Sequence, residues 1–401
     1  MQSASESANV TQVGLSAPLT NHGSGTGEKK SELTEFLVKL SICVSLTVSL
    51  LLLGELAAYV KLQSRPPRPP DSHLTESIYR GKEWAPKFWH EWKEADKLQY
   101  RSYVVWHRAP YTGQTVVVDK DGLRRTFYSQ CDSTAYTIWM FGDSALWGTG
   151  APDWETIPSL LAKQYAQRGS KVCVKNYGEI AWVTTQEVIQ LMLDLKYASK
   201  RPDLVLFYDG TTDAFLPYQS DETDVHGNFP IIKQQFEHAT EERREGFDYL
   251  RRTNTFLALE SIAQRIGLRG DASPKERITK EQAASMAQKT FTNMVKNAEL
   301  VDALASRYAF RYIFFEHPTV LVGQKPLTPE EKELSLREEF EHPGSGMICR
   351  ALYELFRTAR IPHLYYLADL FDHRTETLYA DFAHLGPEGN QLVAEQPDDN
   401  V

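Results

Sequence analysis

Hydrophobic residues divide the chain into one long apolar run near the N-terminus and a series of shorter runs after residue 135. The long run, residues 40–60, contains one charged residue, Glu55. A membrane-spanning helix needs about 20 apolar residues, so the pattern predicts a single transmembrane helix over residues 36–61. Near the end of the run, Glu55 would lie among the lipid headgroups, and Tyr59 also suits that interface.

The segments on both sides of this helix are polar or rich in proline. Residues 1–35 are rich in Ser, Thr, Gly and Asn and are predicted to be a disordered tail. Residues 62–72 include the sequence Arg-Pro-Pro-Arg-Pro-Pro and are predicted to be a stiff linker. A cleaved signal peptide is disfavoured because the apolar run begins about 39 residues into the chain. Basic residues are equally numerous on the two sides, so they do not orient the helix.

Residues 73–134 form an aromatic-rich segment with four tryptophans, at positions 84, 89, 92 and 106. A strand is predicted at 115–118, before the turn sequence Asp-Lys-Asp-Gly at 119–122. Aromatic residues of this density are more often core than ligand platforms. The segment is therefore expected to pack on the domain that follows.

From residue 135 onward, short apolar runs alternate with helical periodicity. Strands are predicted at 136–141, 172–177, 204–208, 312–315 and 363–367, and helices include 156–167 and 184–197. This alternation is typical of a parallel sheet with helices on both faces. The sequence therefore predicts an α/β domain over residues 135–401, with a five-stranded parallel sheet and a helical insertion at 214–308 that covers the site as a lid.

Composition and charge narrow the function further. The net charge of −9 and the lack of a long basic stripe give no reason to expect nucleic-acid binding. The four cysteines lack the spacing of a zinc site or a small disulfide framework. One disulfide among Cys131, Cys173 and Cys349 is compatible with the sequence, which does not select the pair.

Ligands of open parallel sheets bind at the carboxyl ends of the strands, and several polar groups follow strand ends in this sequence. Ser144 follows the first strand, and Asp381 and His384 lie three residues apart after the fifth. A serine hydroxyl needs a nearby base to act as a nucleophile. His384 is the candidate base, and Asp381 is the candidate that orients it.

An oxyanion formed during acyl transfer needs hydrogen-bond donors that are already in place. The candidates are the backbone amides of Ser144 and Gly178 and the side chain of Thr212. A glycine at position 178 would let the backbone approach a substrate closely.

Simpler interpretations exist for each of these residues. Ser144 is also a suitable helix N-cap, and His384 is also suitable as a surface histidine. His317 and His363, next to prolines or strand ends, are interpreted as structural, with His317 near enough to the cleft to contact substrate. Asp143 is expected to contact substrate or the loop after the third strand.

Together, these motifs resemble the SGNH-hydrolase (GDSL-like) family, in its membrane-anchored bacterial form. The matching motifs are Gly-Asp-Ser at 142–144, an isolated Gly178, Gly-Thr-Thr-Asp at 210–213 and Asp-Phe-Ala-His at 381–384, and the resemblance covers about residues 100–395. It implies a flavodoxin-like three-layer sandwich and an acyl-enzyme mechanism without metal or cofactor. The sequence departs from the family at Thr212, where an Asn normally donates to the oxyanion.

The expected function is therefore that of a serine hydrolase that cleaves acyl esters. The resemblance implies a catalytic domain outside the cytoplasm and acylated small molecules, glycans or lipids of the envelope as substrates. Two alternatives stay open: a membrane-tethered binding or scaffold protein of impaired activity, suggested by Thr212, and an acyl transferase with the same triad. Nothing in the sequence indicates an oligomeric state.

Overall fold

The computed structural model describes residues 25–63, 72–240, 253–256 and 278–396, without the side chains of 25–30, 62–63, 72 and 238–240. Most of the predicted tail, most of the proline-rich linker and part of the predicted insertion lie outside these residues. The chain divides into two compact units. One comprises residues 1–66 and 244–270, and the other comprises residues 67–243 and 271–401.

The first unit contains one long helix, α1 (Gly25–Gln63). Within its stretch Ser31–Lys61, the most apolar 18-residue window has a mean hydropathy of 2.3, and none of that window is buried. The helix is therefore long and apolar enough to cross a membrane. Within the same unit, the Glu55 carboxylate accepts hydrogen bonds from Asn254 and Thr255.

The second unit is built on a five-stranded parallel sheet, which confirms the predicted fold class. The strands are β5 (Tyr136–Gly142), β6 (Val172–Gly178), β7 (Leu204–Asp209), β8 (Arg311–Glu316) and β9 (Leu364–Tyr366). Their order in the sheet is β6-β5-β7-β8-β9. The first four begin or end within one residue of the predicted strands. The fifth is shorter than the predicted run at 363–367.

Helices connect and cover these strands. They are α3 (Ser144–Trp147), α4 (Ile157–Gln167), α5 (Thr184–Tyr197), α6 (Thr211–Ser220), α7 (Phe229–Thr240), α8 (Lys280–Tyr308), α9 (Pro329–Glu341), α10 (Ser345–Thr358) and α11 (Pro387–Ala394). Thr156, Thr279 and Thr328 cap the N-termini of α4, α8 and α9 through their side chains.

The sheet separates two hydrophobic layers because side chains alternate along each strand. On β5, Ile138 and Met140 pack with α4 and α10, whereas Trp139 and Phe141 pack with α5 and α8. The same alternation continues on β7 and β8. Helices on both faces of a parallel sheet give the three-layer arrangement of a flavodoxin-like fold.

The aromatic-rich segment precedes the sheet and contains helix α2 (Ala85–Ala95) and strands β1 (Leu98–Arg101), β2 (Val105–Arg108), β3 (Tyr111–Thr112) and β4 (Val117–Val118). The strand predicted at 115–118 is therefore limited to its last two residues. Phe88 and Trp89 of α2 pack in one cluster with Trp147, which ends α3. This cluster supports the first turn after β5.

Candidate active site

Ser144 is the first residue of α3, and only Asp143 separates it from the end of β5. The helix cap is the preceding residue, Asp143, whose Oδ1 accepts a hydrogen bond from the Ala145 amide over 2.8 Å. The capping role considered for Ser144 is thus taken by Asp143. The Ser144 hydroxyl instead faces His384.

His384 connects Ser144 to Asp381. Its Nε2 lies 2.7 Å from Ser144 Oγ, and its Nδ1 lies 2.6 Å from Asp381 Oδ2. The other oxygen of Asp381 accepts the backbone amides of Ala383 and His384, both over 2.8 Å. Residues 240 positions apart in sequence thus form one continuous hydrogen-bonded chain.

Electrostatic interactions among these hydrogen-bonded residues favour a charged Asp381 and a basic His384. Burial alone would raise the pKa of Asp381, but the His384 imidazole and the two amides outweigh it and lower the pKa to about 2. Burial likewise opposes protonation of His384. The charge and hydrogen bond of Asp381, together with the charge of Asp143, outweigh that effect and raise the pKa of His384 above its ordinary value.

Asp143 is a buried carboxylate beneath the serine. Besides capping α3, it accepts a hydrogen bond from the Thr212 hydroxyl over 2.7 Å and lies 3.5 Å from His317 Nε2. Burial alone would raise the pKa of Asp143. His317 and these hydrogen bonds lower the pKa by more than burial raises it, so the net shift is downward. Asp143 thus contacts the first turn of α6, the segment that follows β7, the third strand predicted for the sheet; this is one of the two possibilities expected for it.

His317 is fully buried rather than exposed to a cleft. Its Nδ1 lies 3.0 Å from the Pro318 carbonyl oxygen, its Nε2 accepts the Thr211 amide over 3.3 Å, and its ring stacks on Tyr208. The structural interpretation of His317 therefore fits the structure, and direct contact with substrate does not. His363, with φ of 59°, packs against Tyr312.

Gly178 does not present its amide to the site. Its N–H donates to Asn176 Oδ1 over 2.9 Å, whereas the next amide, that of Glu179, donates to Gly142 on β5 over 3.0 Å. A Cβ at position 178 would lie 2.4 Å from the Trp147 nitrogen. Glycine is thus required for the close packing of β6 on α3, and the suggested role of Gly178 as an oxyanion donor is not supported.

Thr212 is also engaged elsewhere, since its single hydroxyl hydrogen goes to Asp143. By contrast, the Ser144 amide has no acceptor within the described parts of the chain. The same holds for the amide of Ala181, in the loop after β6, which has a positive φ of 60°. A left-handed backbone at a residue with a side chain is strained and is found disproportionately at functional sites.

Arg124 is a buried residue that the sequence did not indicate. Its guanidinium donates to the carbonyl oxygens of Trp147, Gly148 and Ala151, over 2.6–2.9 Å, and to Asp153 over 3.0 Å. It also lies 4.2 Å from the centre of a Trp147 ring. Arg124 thereby fixes the turn that follows Ser144. A buried arginine has no distinctive sequence signal, so only the fold could reveal it.

Further carboxyl groups lie buried near the strand ends: Glu187, Asp209, Asp213 and Glu316. The carboxyl groups of Glu187 and Asp209 lie within hydrogen-bond reach of each other, and their oxygens receive no hydrogen bond from any other described residue. Burial, followed by the charges of neighbouring carboxylates, raises the pKa of each well above the ordinary value. Asp213 differs because Thr184 donates to it, and its pKa rises to about 7.

The chain is similar to solved structures of lipolytic proteins of the G-D-S-L type. A lipolytic protein G-D-S-L family member from Veillonella parvula matches with 13% identity over 66% of this chain and 97% of that chain, at a TM-score of 0.36. An acetyl xylan esterase, AlAXEase, matches with 14% identity over 66% and 99%, at a TM-score of 0.35.

A lipase/acylhydrolase from Enterococcus faecalis matches with 15% identity over 66% of this chain and 94% of that chain, at a TM-score of 0.31. No protein-family model and no curated protein matches the chain. Likenesses this distant support neither a substrate nor a residue role. The chemistry of the site therefore rests on the chain's own geometry.

Proposed function

We propose that this protein is a membrane-anchored serine hydrolase that cleaves acyl esters through an acyl-enzyme. The observation that carries the proposal is the contact between His384 Nε2 and Ser144 Oγ at 2.7 Å, with Asp381 on the opposite ring nitrogen. A nucleophile, a base and an orienting carboxylate in this order are the arrangement that acyl transfer to serine requires.

In the proposed reaction, Ser144 Oγ attacks the ester carbonyl carbon while His384 Nε2 takes the hydroxyl proton. Asp381 keeps the Nδ1–H oriented and stabilises the imidazolium. The tetrahedral intermediate then collapses, and the alcohol leaves with the proton from His384. Water next attacks the acyl-enzyme, again with His384 as base, and releases the carboxylic acid and free Ser144.

The oxyanion is proposed to bind the amides of Ser144 and Ala181. Both lie at the carboxyl edge of the sheet, after the adjacent strands β5 and β6, whose last residues Gly142 and Gly178 are paired. Both amides are without an acceptor in the described residues. This assignment replaces the donors Gly178 and Thr212, whose hydrogens are bound by Asn176 and Asp143.

A fluorophosphonate probe tests the nucleophile in the full-length protein reconstituted in nanodiscs. Labelling is expected for the unmodified chain and is expected to be lost in Ser144→Ala and His384→Ala. Ester turnover should fall by at least about 10³-fold in both variants. Ser170→Ala and His373→Ala, at exposed positions, are the matched controls. Labelling that persists in Ser144→Ala, or a folded chain that never labels, would refute the proposal.

The membrane orientation is proposed from the disulfide between Cys131 and Cys173, with Cα atoms 4.5 Å apart. Disulfides persist in oxidising compartments and are rare in the cytosol. The sheet domain is therefore assigned to the extracytoplasmic side and α1 to the membrane. Acylated small molecules, glycans or lipids on that side are the proposed substrates.

Maleimide-polyethylene glycol tests this orientation by mass shift in denatured membrane fractions. Two additions, at the free residues Cys43 and Cys349, are expected without reductant. All four cysteines are expected to react after reduction, and Cys131→Ser should expose Cys173 without reductant. Four additions before reduction would contradict the extracytoplasmic assignment.

A further inference from the structure

Two phenylalanine rings meet beside the proposed catalytic residues. Phe215 lies on α6, and Phe382 lies between Asp381 and His384. Their ring centres are 5.7 Å apart, with an interplanar angle of 36°. Both residues are only partly buried. The mechanism proposed above uses neither ring, although both are within reach of solvent.

The contacts that build the site also fix the position of both rings. Thr212 and Phe215 are three residues apart on α6 and therefore lie on the same helix face. Since Thr212 is bonded to Asp143, that face of α6 is directed toward the Ser144 turn. The Phe382 carbonyl oxygen accepts the Val320 amide over 3.0 Å and the Thr319 hydroxyl over 2.6 Å.

Two neighbouring rings also support Phe215, one directly after α9 and one on α6 itself. His342, directly after α9, packs edge-on against Phe215 with ring centres 4.9 Å apart, and Tyr218 lies 6.0 Å away. His342 is in turn 3.2 Å from Glu338. With support on one side and partial exposure on the other, the two rings are already in place to receive an apolar group without rearrangement.

We propose that Phe215 and Phe382 form an apolar wall of the substrate site and that the substrate carries a hydrocarbon chain packed on it. This inference rests on the proposed hydrolase function and names its substrate class as esters with a chain longer than acetyl. This hydrocarbon chain belongs either to the acyl group of the ester or to its alcohol. Each methylene buried on the rings is expected to raise kcat/KM by about fourfold.

Two ester series distinguish these sources with the full-length protein in nanodiscs. One series varies the acyl chain of p-nitrophenyl esters from acetate to decanoate, and the other varies the alcohol of alkyl acetates from methyl to octyl. The unmodified chain is expected to show kcat/KM rising with length in one series. Phe215→Ala and Phe382→Ala should flatten this dependence of kcat/KM on chain length. Phe215→Leu and Phe382→Leu, which control for unfolding, should retain most of it.

Tyr197→Ala is the matched control. Tyr197 is an aromatic residue that is 80% exposed, and it ends α5 before β7 begins, at the opposite edge of the sheet. In Tyr197→Ala, the rise of kcat/KM with ester chain length should equal that of the unmodified protein. The apolar-wall proposal would be refuted if turnover did not depend on ester chain length, or if both alanine variants kept the same dependence as the unmodified protein. Neither outcome would contradict the hydrolase proposal. A folded chain that turns over no ester and binds no fluorophosphonate would refute both proposals.

Discussion

The Thr212 hydroxyl donates to Oδ2 of Asp143 over 2.7 Å, in the turn beneath Ser144. Because a hydroxyl has one hydrogen to donate, this bond removes Thr212 from the donors available to an oxyanion. It also gives Asp143 a second fixed oxygen besides the one that caps α3. Thr212 therefore positions the turn that carries Ser144, the proposed nucleophile.

This relationship predicts that Thr212→Val acts mainly on stability. Hydrogen bonds to charged groups contribute about 1.5–3 kcal/mol, so unfolding free energy should fall by that order, while kcat falls by about tenfold or less. Thr212→Ser, which keeps the hydroxyl, is the control. Chemical unfolding and ester kinetics measure both effects. A loss of 10²–10³ in kcat, the usual effect of removing an oxyanion donor, at unchanged stability would return Thr212 to the oxyanion site.

A second prediction concerns the pH dependence of kcat/KM. As the proposed base, His384 can accept a proton only when neutral, and its pKa is raised by Asp381 against the effect of burial. The acidic limb of the unmodified protein should therefore lie above pH 6.5, the ordinary histidine value. In Asp381→Asn the carboxylate charge is lost, so the limb should move to lower pH and kcat should fall by on the order of 10³–10⁴-fold.

Initial rates from pH 5 to 9 test this shift. Asp369→Asn, an exposed position, should leave the limb unmoved. A limb at the same pH in Asp381→Asn and in the unmodified protein would show that Asp381 does not set the basicity of His384.

The pH dependence of the free energy of unfolding is predicted to depend on Glu187 and Asp209. Burial raises the pKa of both carboxyl groups in the folded chain. The folded state therefore holds protons that the unfolded state releases above about pH 4, and stability should fall as pH rises from there toward the raised pKa values. Each unit of pKa difference corresponds to about 1.4 kcal/mol.

Glu187→Gln removes this titration and leaves an amide beside Asp209. The variant should melt at a higher temperature than the unmodified protein at pH 8, and the difference should shrink at pH 5. Thermal unfolding at the two pH values measures it, with exposed Glu341→Gln as the control. A variant less stable than the unmodified protein at pH 8 would show that the two carboxyl groups are not a source of destabilisation.

Sequence patterns were sufficient for the sheet because buried parallel strands consist of continuous apolar runs. The runs at 136–141 and 172–177 mark β5 and β6 almost to the residue. The residues at the strand ends follow from the same argument, since parallel strands end at one edge. The proximity of Ser144, Asp381 and His384 was thus predictable before any distance was known.

The direction of individual hydrogen bonds was not predictable in the same way. Successive amides of a strand point to opposite sides, so Gly178 faces Asn176 while Glu179 faces Gly142. No sequence pattern shows which of two neighbouring amides faces the substrate. The disulfide and the Arg124 contacts depend likewise on long-range packing, which is why the sequence left the cysteine pairing open.

The last prediction concerns Glu55, the carboxylate within the apolar stretch of α1. It accepts the amide and side-chain hydrogens of Asn254, over 2.5 and 2.7 Å, and those of Thr255, both over 2.8 Å. Charged groups in apolar spans are costly without partners. These four donors supply the partners, so Glu55 is expected to hold the segment around Asn254 against α1.

Glu55→Gln and Thr255→Val should each weaken this attachment and speed tryptic cleavage after Arg251 and Arg252 in nanodiscs. Since a hydrogen bond to a charged group contributes about 1.5–3 kcal/mol, cleavage should accelerate by on the order of tenfold, as mass spectrometry of the fragments measures. The double variant should cleave hardly faster than Glu55→Gln alone, because the Thr255 hydroxyl bond that Thr255→Val removes is one of the four that Glu55→Gln already weakens. Glu35→Gln on the same helix should have no effect. Additive acceleration in the double variant, or unchanged cleavage in Glu55→Gln, would mean that Glu55 does not bind this segment.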